Sequence, residues 1–104
     1  MSDVAEFVEA LYALDRTGRK AGAIDLAIAY FNDAQHDGRL ADCSAAFKAL
    51  DPFRLSSSVC VSVLGITLRS RDVDGRRDFW HRTYRRVACD KGCGYARRLL
   101  RKYR

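Results

Sequence analysis

A chain of 104 residues with 48% hydrophobic content is long enough to bury one core and too short for two. It has no uncharged apolar run of about 18 residues and no basic start leading into an apolar stretch, which speaks against a membrane-spanning helix and a signal peptide. The formal charge of +6 conceals a division: residues 1–53 hold five basic against nine acidic groups, and residues 54–104 hold fourteen against four.

The expectation is a soluble, intracellular, cytoplasmic protein folded as a single helical domain over 1–104, with an acidic N-terminal half (1–53) and a basic, Arg-rich C-terminal half (54–104). Such asymmetry points to an anionic partner for the second half. It would equally let the acidic and basic halves attract each other, within one chain or between two copies in a homo-oligomer.

The first helix is predicted from Asp3 to Leu14, where Val4, Phe7, Leu11 and Leu14 recur at helical spacing and Asp3 with Glu6 forms a capping box. The segment from Arg16 to Lys20 breaks the pattern as a basic turn. A second helix follows from Ala21 to His36, with Ile24, Ala27, Ile28 and Phe31 on one face and Leu26 with Tyr30 beside it. Gly38 is its natural stop, because glycine accepts the left-handed conformation that ends many helices. The third helix, Arg39 to Leu50, places Leu40, Cys43, Phe47 and Leu50 on one buried stripe. Pro52 closes it, since the residue before a proline is pushed out of the helical region.

In residues 27–52, paired amphipathic helices flank the Gly38 turn, Cys43 and Phe47 lie on the inner side of the second, and Asp51-Pro52 stands at its end. This run resembles a degenerate tetratricopeptide-like helical hairpin, and no second unit follows. The resemblance implies antiparallel helix packing and a protein-binding surface, and it transfers no functional residue.

Residues 55–68, LSSSVCVSVLGITL, contain no charge and are expected at the buried centre. As a helix, Leu55, Val59, Val63 and Ile66 line one side and Cys60, Leu64 and Leu68 another, with Ser58, Ser62 and Gly65 as a small-residue stripe. As a strand, Val59, Val61 and Val63 alternate with Cys60, Ser62 and Leu64. The helix is preferred. A lone strand would leave its backbone groups unpaired, and the serines at its start suit a cap.

Residues 69–75 then read as a charged connection, and another helix is expected to begin near Arg76. Phe79, Trp80, Thr83, Tyr84 and Val87 gather on one face of it, opposite Arg82, Arg85 and Arg86. Gly92 and Gly94 interrupt, and a short last helix from Tyr95 to Tyr103 turns Ala96, Leu99 and Tyr103 inward and Arg97, Arg98, Arg101 and Arg104 outward. The fold class that follows is all-α, a compact bundle of five or six helices around the 55–68 helix.

The strongest functional signal is the arginine content: twelve of the fourteen basic residues after position 53 are arginine. A guanidinium offers a planar fork of donors matched to phosphate and carboxylate, where lysine offers a point charge. Trp80, Tyr84, Tyr95 and Tyr103 are interleaved and would stack on bases if exposed, although their spacing favours core positions. No zinc-finger or RNA-recognition motif accompanies them. A recognition helix presenting Arg77, His81, Arg82 and Arg85 is a weaker reading, because the preceding connection is too long for the usual helix-turn-helix turn.

Other chemistries are disfavoured. Cys89 and Cys93 supply one loosely spaced ligand pair where a zinc site needs two, and their spacing is not that of a redox pair. Cys43 and Cys60 read as small buried hydrophobes, not as members of a disulfide framework. Asp72-Val73-Asp74-Gly75 lacks the remaining positions of a calcium loop and reads as a solvated turn. The serines at 56–58 suit helix capping better than nucleophilic attack, and His36 and His81 have no evident catalytic partner. No catalytic, cofactor-binding or metal-binding residue is assigned.

The expected function is a non-enzymatic interaction module, a small adaptor, regulator or inhibitor. Its contact residues would be Arg77, Arg82, Arg85, Arg86, Arg97, Arg98 and Arg101, and its partner a larger protein with an acidic surface. The alternative is a nucleic-acid-binding protein that grips the phosphate backbone with the same arginines.

Overall fold

The computed structural model describes residues 3–104 and is all-helical. Six α-helices run in the order α1 (Asp3–Arg16), α2 (Lys20–His36), α3 (Leu40–Ala49), α4 (Ser57–Ile66), α5 (Val73–Lys91) and α6 (Cys93–Leu100). Short 3-10 turns at Pro52–Arg54 and Arg101–Tyr103 follow α3 and α6. The molecule is 18 Å thick along its shortest axis, which is about two helix diameters of roughly 10 Å. The Asp3–Glu6 capping box rests on a side chain outside the described residues.

The first two connections are the same motif used twice. Gly18 and Gly38 sit at φ 80° and 72°. The next amide reaches back in each case, Arg19 N to Leu14 O and Arg39 N to Ala34 O, both at 2.8 Å. These are Schellman endings, in which only glycine takes the left-handed step without steric cost. They fold α1, α2 and α3 into successive hairpins in mutual contact.

One contiguous hydrophobic cluster holds the helices together. Through it runs a file of four phenylalanines, one from each of α1, α2, α3 and α5. Phe7 meets Phe31 edge-on at 5.6 Å, Phe31 stacks on Phe47 at 5.1 Å, and Phe47 tilts against Phe79 at 5.8 Å. Helix α4 packs on α2 and α5 and buries Val59, Cys60, Val63 and Leu64 completely, so the uncharged segment is the central helix and not a strand. Ser56 caps it by accepting from Val59 N at 3.4 Å. Gly65 leaves room for Tyr103, whose ring edge lies 3.3 Å from where a Cβ would stand.

Several boundaries and faces differ from the sequence reading. Helix α4 stops at Ile66, Thr67 turns inward to bond Val63 O, and Leu68 is left exposed. The buried stripe of α2 is Ala23, Ala27, Phe31 and Ala34, whose small side chains permit close helix approach, while Ile28 and Leu40 are exposed. Helix α5 begins at Val73, because Asp72 accepts from Gly75 N and caps it; Asp72 to Gly75 is a helix start and not a solvated turn. Gly92, at φ 95°, alone makes the break after α5, so Gly94 lies inside α6, which ends at Leu100 before a 3-10 turn. Cys43 and Cys60 are fully buried free thiols, as their apolar surroundings in sequence imply.

Candidate anion-binding surface

Helix α5 is the organiser of the basic half, and its arginines divide into two sets. Arg82 turns toward α3: its two terminal nitrogens donate to the carbonyls of Leu50 and Phe47, while Nε pairs with Asp78 at 3.0 Å. Those carbonyls belong to the end of α3, where no further turn of helix exists to satisfy them. Arg86 repeats the arrangement one turn on, donating from Nε to Leu55 O at 3.3 Å and pairing with Asp90 at 3.7 Å. The sequence reading placed both on a solvent face. The structure makes them clamps that tie α5 to the chain between α3 and α4.

Arg77, Arg85, Arg97, Arg98 and Arg101 form the second set, and all five are exposed. Arg77, His81 and Arg85 follow one another at four-residue intervals along the open side of α5. The indole Nε1 of Trp80 donates to Leu100 O at 2.9 Å and holds the end of α6 against α5. Trp80 stacks on Tyr84, whose hydroxyl reaches Cys93 O at 3.4 Å at the other end of α6. Trp80 and Tyr84 are therefore packing groups, and Tyr95, 43% exposed, is the aromatic left open among the cations.

The acidic residues of this half are mostly spent. Asp78 and Asp90 pair with the inward arginines and Asp72 caps the helix, which leaves Asp74 in its first turn. Among the described residues, none of the five outward arginines has a carboxylate within ion-pairing distance, and no ion pair joins the acidic half to the basic half. Nor do any three His, Cys, Asp or Glu side chains among them come together as metal ligands. Cys89 and Cys93 are free and exposed. No helix among the described residues is long and apolar enough to cross a membrane.

Arg76 is the residue that sequence reasoning passed over. It is only 8% exposed, donates from Nη2 to Leu64 O at 2.9 Å, and its Nε has no partner. Burial lowers its pKa, with no carboxylate to offset the effect. Its signal was present in the spacing: Arg76, Phe79, Trp80, Thr83 and Val87 share one helical stripe, so an arginine stands where an apolar residue is expected.

The chain matches no protein-family model, no curated protein and no solved structure. The likeness of residues 27–52 to a tetratricopeptide-like hairpin thus extends to two helices about a tight turn and no further.

Proposed function

We propose that this chain is a non-enzymatic helical interaction module, an adaptor, regulator or inhibitor, that seats a larger acidic protein on the arginine face of α5 and α6. The observation that carries this reading is the distribution of counter-charge. The local aspartates go to Arg82 and Arg86, which point at backbone carbonyls, while Arg77, Arg85, Arg97, Arg98 and Arg101 stand outward without any. Unopposed guanidinium groups on a rigid helical frame steer and orient an anionic surface, since close charge complementarity raises encounter rates and fixes register.

A second reading, a nucleic-acid-backbone binder, draws on a shallow depression where exposed Tyr95 lies with Arg98 and Lys102. An aromatic flanked by cations is the arrangement on which single-stranded bases stack. Fluorescence anisotropy with labelled poly-glutamate, duplex DNA and single-stranded RNA at two salt concentrations separates the readings. Binding to poly-glutamate that is lost on charge reversal of Arg85, Arg97 and Arg98 supports the first. Tighter binding to nucleic acid, falling steeply with salt through counterion release, moves the function to the second. An unaffected triple variant removes both.

A further inference from the structure

A cavity of about 290 Å³ opens where the chain enters α5. Arg76 and Trp80, both nearly buried, form its floor, and exposed Arg77, Arg104, Leu68 and Val73 stand around its mouth. No aspartate or glutamate lines it. The guanidinium of Arg104 sits 5.2 Å over the Trp80 ring, so a cation is held at the rim by the same indole that makes the floor.

We infer that this cavity is a binding site for a phosphate monoester with an apolar or aromatic body, its phosphoryl group taken by Arg76, Arg77 and Arg104 and its body by Trp80, Leu68 and Val73. Arg76 carries the argument. A cation 92% removed from solvent, with one backbone hydrogen bond, an unpartnered Nε and no ion pair, is a costly occupant of a position that packing alone would give to Leu or Met. An anion entering the cavity supplies the missing counter-charge beside the guanidinium. Three guanidinium groups carry more positive charge than a monoanionic carboxylate balances, whereas a phosphoryl dianion offers two charges and three terminal oxygens. Leu68 and Val73, 46% and 57% exposed, add apolar surface that a bare inorganic ion would leave unused. A cavity at the lower end of the usual range, about 300 Å³ and above, suits one small group.

Trp80 is the sole tryptophan of the chain, so its emission reports occupancy directly. The full chain is titrated with phenyl phosphate, inorganic phosphate and benzoate at constant ionic strength. The expected result is a saturable change, at least about tenfold tighter for phenyl phosphate than for either of the others, because only it matches both halves of the cavity. Arg76→Met should abolish the response, and Arg77→Gln, at an exposed position, should weaken it at least about tenfold. If Arg76→Met fails to fold, the native protein and Arg77→Gln decide. No saturable change, an equal response to all three anions, or an unaltered Arg77→Gln titration overturns the site.

The site itself does not depend on the partner reading; only the source of the monoester does. A phosphotyrosine peptide binding more tightly than phenyl phosphate assigns the group to a protein seated on the arginine face, and one binding no better assigns it to a free small molecule, both keeping the site. Poly-glutamate anisotropy on the same preparation is a separate readout, so either proposal can fail alone.

Discussion

The carboxylate of Asp15, in the last turn of α1, accepts from both the backbone N–H and the hydroxyl of Ser56, at 2.6 and 2.9 Å. Ser56 in turn accepts from Val59 N. The first helix thereby reaches across 41 residues to hold the cap of the central one. Hydrogen bonds to an ionised group are worth about 1.5–3 kcal/mol and a serine cap about 0.5–2 kcal/mol. Asp15→Ala is expected to destabilise the fold by about 2 kcal/mol and Ser56→Ala by about 1 kcal/mol in urea denaturation. Since the two act on one network, the double variant should lose less than the sum, and strict additivity would mean that the contact contributes nothing.

Arg82 and Arg85 lie three positions apart and should behave oppositely. Arg82→Met removes the donors to the Leu50 and Phe47 carbonyls and should cost about 2 kcal/mol, which lowers the melting temperature by roughly 8–16 °C at this chain length. Arg85→Met, on an open surface, should stay within about 0.5 kcal/mol of the native protein. Calorimetry on the two variants checks the division of the arginines; equal losses would refute it.

Glycine-to-alanine changes separate two helical glycines. At Gly22 a Cβ would meet Leu14 Cδ2 at 3.6 Å, an ordinary contact, so Gly22→Ala should stabilise by about 0.5–1 kcal/mol through helix propensity. At Gly75 a Cβ would collide with Asp72 Oδ2, and the capping carboxylate must leave. Losing that cap costs about 1 kcal/mol, which cancels the propensity gain, and the displaced carboxylate must find new partners; Gly75→Ala should be neutral to destabilising. A gain at Gly75 matching that at Gly22 would show that the cap is dispensable.

The thiols should divide by burial. Ellman's reagent should modify Cys89 and Cys93 rapidly in the native protein and Cys43 and Cys60 only on unfolding. Burial pushes the Cys60 thiol up to about 12 from a usual value near 9. The native state therefore keeps a proton that the unfolded chain releases, and stability present below about pH 9 is lost as pH rises toward 12, at about 1.4 kcal/mol per pH unit. Cys60→Ala should flatten that alkaline decline relative to the native protein in urea titrations at pH 8 and pH 10. An identical slope in both would assign the decline to other groups.

What the sequence determined by itself is local. Helix class, the Gly38 turn, the Ser56 cap and the buried faces of α4 and α5 follow from rules that act over one to four residues: hydrogen bonds to the preceding turn, apolar residues at helical spacing, and a side-chain oxygen at a helix start. The basic character of the second half is likewise a property of composition. The Asp78–Arg82 and Arg86–Asp90 pairs are local too, but the carbonyls that make these two arginines clamps come from α3 and the 50–55 segment. Arg82 finds its acceptors 32 and 35 residues away, and Arg86 finds its own 31 residues away. Arg76 shared the apolar stripe in sequence, yet its cavity exists only once Leu68 and Arg104 converge on the start of α5. Tertiary packing alone decides such pairings, since the energy of a long-range contact depends on which distant carbonyl or ring arrives, and no local spacing encodes that.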